Sequence, residues 1–431
     1  MGETLRLGDF CSKIGSGATP RGGKDSYLEI GPFALIRSQN VHNHGFERTG
    51  LAYISDDQAN ALSNVEVQAG DVLLNITGDS VARACQVADD VLPARVNQHV
   101  AIIRPDGQNI DARFLRYYLV SPAMQAEMLA LASAGATRPA LTKGMIENFR
   151  IPAYSITEQR AIAAVLSALD DKIELNRRMN ATLEAMARAI FRDWFVDFGP
   201  TRAKAEGRPP YLAPDLWSLF PDRLDENGVP EGWEMGTLGD VADTNAASWT
   251  ARNHPDVVEY VDLSNTKWGT IQSTAKLLWE KAPSRARRIA RAGDTIIGTT
   301  RPGNGSFAYV SRDGLTVSTG FAVLTPKRPE FRDFVYIAAS DPENIRRLAN
   351  LADGHGGAYP AVRPAEVSDT PVVIPPSDVI DAFAKLASPL RARIEFNKSE
   401  NETLAQTRDL LLPRLMSGEI RVREELLGRD N

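Results

Sequence analysis

KIELNRRMNATLEAMARAIFRDWF (172–195) and RIEFNKSENETLAQTRDLLLPRLM (393–416) read in register, 221 positions apart. Around the first runs a stripe in steps of four and three: Ile162, Leu166, Leu169, Ile173, Asn176, Asn180, Leu183, Ala187, Ile190 and Trp194. Adding 221 gives Phe383, Ala387, Leu390, Ile394, Asn397, Asn401, Leu404, Arg408, Leu411 and Leu415. This is the spacing of a coiled-coil seam. Both stripes place two asparagines at the same seam positions. A buried amide fixes register, because a slipped pairing leaves it unsatisfied. The spacing predicts two long helices packed on each other, antiparallel; two amphipathic helices packed on separate domains are the alternative. Ser155 with Thr157-Glu158-Gln159 predicts the first N-terminus, and Pro389 predicts that the second helix starts or kinks there.

Outward from these helices the whole chain repeats. Leu7-Gly8-Asp9 returns as Leu238-Gly239-Asp240, Ala69-Gly70-Asp71 as Ala292-Gly293-Asp294, and VNQHVAIIRP (96–105) as VSTGFAVLTP (317–326). Several matches in one order mark a duplication. Ahead of each helix, β-rich runs such as 72–76 and 100–103 alternate with turn residues. Helical stretches are expected near 113–119, 124–131, 334–339 and 345–351. The fold class is therefore mixed α/β, with two similar domains (1–152 and 232–374) related by a pseudo-twofold axis. Helices at 153–199 and 375–416, a Pro-rich linker at 200–231 and a tail at 417–431 complete the division. A helix of about 40 residues extends roughly 60 Å, enough to hold two domains one to two turns of duplex apart.

Composition narrows the function. With 431 residues, 43% hydrophobic and 24% charged, the chain has the profile of a soluble globular protein. A net charge of −6 argues against a free-standing nucleic-acid binder, although arginine, which reads guanine edges, dominates lysine in both large regions. Cys11 and Cys85 are the only cysteines, so no disulfide framework or paired-cysteine zinc site is expected, and a reducing cytoplasm is the default. No secretion signal or membrane span is read. The glycine turns lack the lysine of a phosphate-binding loop, Arg208-Pro209-Pro210-Tyr211 is not an amine-methyltransferase motif, and His42 with His44 reads as plain surface. Neither catalytic residues nor a metal site are expected.

The hydrophobic framework repeats while the polar loop residues differ. Thr77 through Arg83 corresponds to a loop containing Thr300, Arg301 and Asn304, and Asn97-Gln98 to Ser318-Thr319. Thr137-Arg138 with Lys143 corresponds to His355 and Tyr359 with Arg363. That pattern suits one scaffold with two readouts. With Arg21, Lys24, Arg37, Asn40 and Asn245, these are the candidate DNA-contacting residues, since Asn, Gln and Arg pair with adenine and guanine edges. Ordinary caps and turn formers are the alternative for each.

TEQRAIAAVLSALDDKIELNRRMNATLEAMARAIFRDWFVDFGP (157–200), IGSGATPRGG (14–23), VNQHVAIIRP and LLPRLMSGEIRV (411–422) resemble segments of the specificity (S) subunits of type I restriction-modification systems. The resemblance implies two target-recognition domains, each reading one half of a split, asymmetric sequence in double-stranded DNA. It implies an antiparallel coiled coil that sets the spacer and binds two modification (M) subunits. S-adenosylmethionine and adenine methylation would belong to those subunits, and ATP-driven translocation and cleavage to the restriction (R) subunits, leaving this chain without a cofactor. Arg408 and Pro389 depart from the regular seam. A coiled-coil adaptor without sequence-specific DNA binding is the competing reading.

Overall fold

A computed structural model of the chain describes residues 3–134 and 138–422; Thr137 and positions 423–431 of the expected tail lie outside the described residues. The described residues fall into two compact units, one up to Leu175 together with Glu400 onwards, the other Asn176–Ser399.

In the first unit, one four-stranded sheet runs Ala52–Ile54, Phe33–Ile36, Ala94–Val96, Glu66–Val67, with a parallel central pair. An antiparallel sheet runs Cys11–Ser16, Val100–Pro105, Val72–Asn75, Ala84–Gln86. The second unit reproduces both. Ala275–Leu278, Val257–Val261, Leu315–Ser318, Ala286–Ala290 again has a parallel centre; Ala242–Thr244, Phe321–Pro326, Thr295–Gly298, Phe307–Tyr309 is antiparallel. Runs such as Val72-Leu73-Leu74 and Ala322-Val323-Leu324 are buried on both faces, which suits uninterrupted apolar strands. Each domain closes by pairing its first strand with its last, Thr4–Arg6 with Arg150–Pro152 and Glu234–Thr237 with Pro371–Ile374.

The short helices lie where the pattern places them: Ala112–Val120, Pro122–Ser133, Arg332–Ala339 and Pro342–Gly354. Asp111 begins the first by accepting from the Arg113 and Phe114 amides.

The long helices are Ile156–Phe195 and Ser377–Met416, 40 residues each. Ser155 and Glu158 form a reciprocal capping box at the first. The second begins at Ser377, within two residues of the expected 375, so it does not start at Pro389 but runs through it. That proline removes only the amide that would reach the Lys385 carbonyl, and packing on both sides of the interruption holds the turn, with Ala387 and Arg391 buried. The helices run antiparallel within each unit. In the first, Asp170 meets Arg408, Lys172 meets Glu400, and the Tyr154 hydroxyl reaches the Met416 carbonyl. In the second, Asn397 Nδ2 donates to Asn180 Oδ1 at 2.8 Å and Glu184 meets Arg391. Of the seam positions, Ile162, Leu166, Ile173, Asn176, Trp194, Ile394, Asn397 and Leu415 are buried. Leu169, Asn180, Leu183, Ile190, Leu390, Asn401, Leu404 and Leu411 are half-buried.

Ile162, Leu166 and Leu415 share a core with Phe114 and Ile103. Trp194 and Phe383 share one with Phe334 and Leu324. The Pro-rich segment 200–231 is folded rather than strung out: Gly199–Ala205 is helical, and Ala203, Phe220 and Val229 enter the second unit's core beside Trp233.

Candidate nucleic-acid interface

The two domains present one backbone frame. In the first, the Leu141 amide donates to the Ile76 carbonyl (2.8 Å), the Gly78 amide to Pro139 (3.1 Å), and Thr77 bridges Ala140. In the second, Val362 donates to Thr299 (2.9 Å), Arg301 to Pro360 (2.8 Å), and Thr300 bridges Ala361. The frame forces a left-handed turn at the same point in both, φ +73° at Gly78 and +48° at Arg301. Glycine adopts this conformation freely; arginine does so at a cost of about 1 kcal/mol.

Different side chains are mounted on it. On the first frame a chain of polar groups runs from Thr19 Oγ1 to Gln98 Oε1 (2.7 Å), Gln98 Nε2 to His99 Nε2 (3.0 Å), and His99 Nδ1 to Thr77 Oγ1 (2.6 Å). Gly17 lets the Thr19 loop approach, since a Cβ there would lie 1.7 Å from the Val96 carbonyl oxygen. On the second frame the exposed Arg301 guanidinium donates to the Ala358 carbonyl (3.2 Å) and lies 5.3 Å from the centre of the Tyr359 ring, itself 74% exposed. Beside it the hairpin Thr266–Lys267 and Thr270–Ile271 holds out Trp268, 66% exposed. The Trp268 amide is anchored on the Gly305 carbonyl and Lys267 Nζ on the Asn304 carbonyl. Cations and aromatic faces offered together suit phosphate and base contact.

The other candidates divide. Arg21, Lys24, Arg138, Asn304 and Thr319 are exposed, while Arg83 and Thr300 are half-buried on the frame loops. Lys143 pairs with Glu147, and Arg363 and His355 both meet Glu366. The Arg363 backbone amide, more than the charges, holds the Glu366 carboxyl below its ordinary range. Arg37 donates to the Gly50 carbonyl and covers Tyr27. Three expectations need correction, because the side chains are buried and bonded inside the fold; a fourth candidate, Asn245, is half-buried with its oxygen engaged. Asn40 is buried, accepting from the Arg37 amide and donating to Glu47; Asn97 is buried and accepts from the His99 amide. Ser318 is buried and accepts from Gly320, and Asn245 Oδ1 accepts from Arg288 and Val323. These side chains hold turns. Sequence reasoning missed Trp268 and His99: one sits in the turn between two two-residue strands, the other beside the asparagine that drew attention.

Burial pushes both cysteine thiols up to about 12, so neither presents a thiolate at neutral pH. Among the described residues no three His, Cys, Asp or Glu side chains gather to hold a metal ion, and no helix is long and apolar enough to cross a membrane.

Residues 2–185 match the family model described as the type I restriction modification DNA specificity domain. The chain is 25% identical over 437 residues to the HindI type I restriction enzyme specificity subunit of Haemophilus influenzae, covering 90% of this chain and 94% of that one. It is 25% identical over 321 residues to the MjaIX specificity subunit of Methanocaldococcus jannaschii, covering 72% and 69%. In fold it is similar to the crystal structure of a type I restriction-modification S subunit from M. genitalium, with a TM-score of 0.56, 14% identity and coverage of 96% and 95%.

Proposed function

We propose that the chain is a specificity subunit of the type I restriction-modification kind, as its similarities indicate, that it reads a split DNA target with its two α/β domains, one half-site each, and that it catalyses nothing itself. The observation that carries this reading is the frame pair. Identical backbone bonds at Gly78 and Arg301 display unlike groups, and at Arg301 the fold tolerates a strained arginine. Strain kept at an exposed loop is a mark of function. In this reading Arg301, Tyr359, Trp268 and Thr319 face one half-site, and Gln98, His99, Thr77 and Arg138 the other. The long helices set the spacer between them and carry two modification subunits, with restriction subunits joining through the complex. S-adenosylmethionine and ATP act on those partners, in the cytoplasm.

The test assembles the full chain with its modification subunits and maps methylated adenines on a random DNA library. Arg301→Gly is expected to relax discrimination within one half-site by about 1–3 kcal/mol per lost bidentate contact, with the other half-site and the spacer unchanged. Equal relaxation of both half-sites, or none, overturns the assignment and leaves the adaptor reading in its place.

A further inference from the structure

Two partly buried ion clusters join the long helices to their domains, and their signs are opposite. Asp170 and Arg391 are 221 positions apart, the offset that aligns the two helices. Asp170 Oδ2 accepts from Arg116 Nη1 (2.8 Å) and the Tyr117 hydroxyl (2.7 Å), and Oδ1 accepts from Arg408 Nη1 (2.7 Å). Arg116 belongs to the domain helix Ala112–Val120, Arg408 to the opposite long helix. In the second unit Arg391 Nε donates to Asp333 Oδ1 (3.1 Å), and Nη1 lies 3.0 Å from Glu184 Oε2. Asp333 belongs to the corresponding domain helix Arg332–Ala339, Glu184 to the opposite long helix. One half sets an acid between two bases; the other sets a base between two acids.

Arg116, Asp333 and Arg391 are buried, at 8, 3 and 5% exposed, and Asp170, Arg408 and Glu184 are half-buried. Arg391 also lies 4.1 Å from the centre of the Tyr336 ring. Burial alone would raise the Asp170 carboxyl, yet Arg116 and Arg408 hold it below its ordinary range, so it stays charged. A matched buried pair adds little over well-packed hydrophobic residues, whereas a mismatched one is heavily destabilising. Such clusters discriminate between partners more than they stabilise.

We infer that the clusters are a charge lock on pairing: the first long helix accepts a domain helix bearing a buried arginine, the second one bearing a buried aspartate, so the two halves are not interchangeable. A copy of the second domain on the first helix would bring an aspartate to Asp170. The first helix paired with a copy of itself would place Ala187 where Arg408 stands. The lock concerns assembly of the chain and does not depend on which bases are read.

Thermal unfolding of the full-length chain tests it. Asp170→Arg, which sets three guanidinium groups together, is expected to lower the midpoint by on the order of 10 °C. Adding Arg116→Asp and Arg408→Glu gives the first cluster the polarity of the second and is expected to recover at least half of that loss. A chimera with residues 232–374 in place of 1–152 is expected to melt higher when it also carries Asp170→Arg and Arg408→Glu. A triple variant no more stable than Asp170→Arg, or a chimera indifferent to the helix substitutions, overturns the lock. If neither chimera folds, the comparison of single and triple variants decides.

Discussion

Gly78 and Arg301 occupy one position in two copies of one loop. Their amides make matching bonds, to Pro139 and Pro360, and both have positive φ. Only the side chain differs. The backbone satisfies its own hydrogen bonds, so the loop keeps its shape whatever projects from it. The sheets beneath follow the same division: strand order and the parallel central pair persist, while the groups that face outward change. Duplicated scaffolds can therefore diverge in chemistry without diverging in fold.

The sharpest way to break the comparison lies at the ends of the seam. Trp194 and its counterpart Leu415 are both buried, but Trp194 packs within an aromatic cluster, with ring centres 5.0 Å from Phe220 and 6.1 Å from Phe195. Trp194→Ala is expected to cost about 4 kcal/mol and Leu415→Ala about 3 kcal/mol in urea unfolding. The reverse order would show that the two units do not draw unequally on aromatic packing.

Next come the paired aspartates of the repeated Ala-Gly-Asp. Asp71 accepts a two-pronged bond from Arg104 (2.7 and 2.8 Å); the residue at Arg104's place in the second half is Thr325. Burial therefore holds the Asp294 carboxyl above its ordinary range. The fold prefers Asp294 protonated, so that stability is complete below the unfolded-state value and is lost as pH rises through the folded-state value. Asp71→Asn is expected to cost about 2 kcal/mol at neutral pH. Asp294→Asn is expected to leave neutral-pH stability at or above that of the parent and to flatten its pH dependence above pH 4. A steeper profile for Asp294→Asn would contradict the assignment.

The smallest effect sharpens the loop comparison itself. Gly78→Ala is expected to lose about 1 kcal/mol and Arg301→Gly to gain up to about 1 kcal/mol, read by thermal unfolding. If both lose stability, Arg301 is paid for by its contact with Tyr359 rather than held under strain.

The helices and the duplication were legible because a repeat of four-three steps has few other readings, and Val72-Leu73-Leu74 with its partner Thr295-Ile296-Ile297 marks matching strands. The folded state of 200–231 was not: prolines suggest a linker, while the side chains that bury it, Phe220, Val229 and Trp233, are scattered without a period. At the candidate interface, composition picks out hydrogen-bonding residues but not their direction. Asn40 and Gln98 read alike in sequence, yet one is buried in a turn and the other exposed. The ion clusters were hidden for a related reason: Arg408 is an irregularity in its stripe until Asp170 is seen beside it.

The left-handed turn shared by Gly78 and Arg301 has a genetic consequence. Glycine and arginine codons differ by one base, GGN against CGN, and a turn already shaped for glycine receives arginine with no other change. A single nucleotide substitution thus adds or withdraws an exposed guanidinium on this loop, giving a lineage a short mutational path to a changed loop surface while the strands below stay in place.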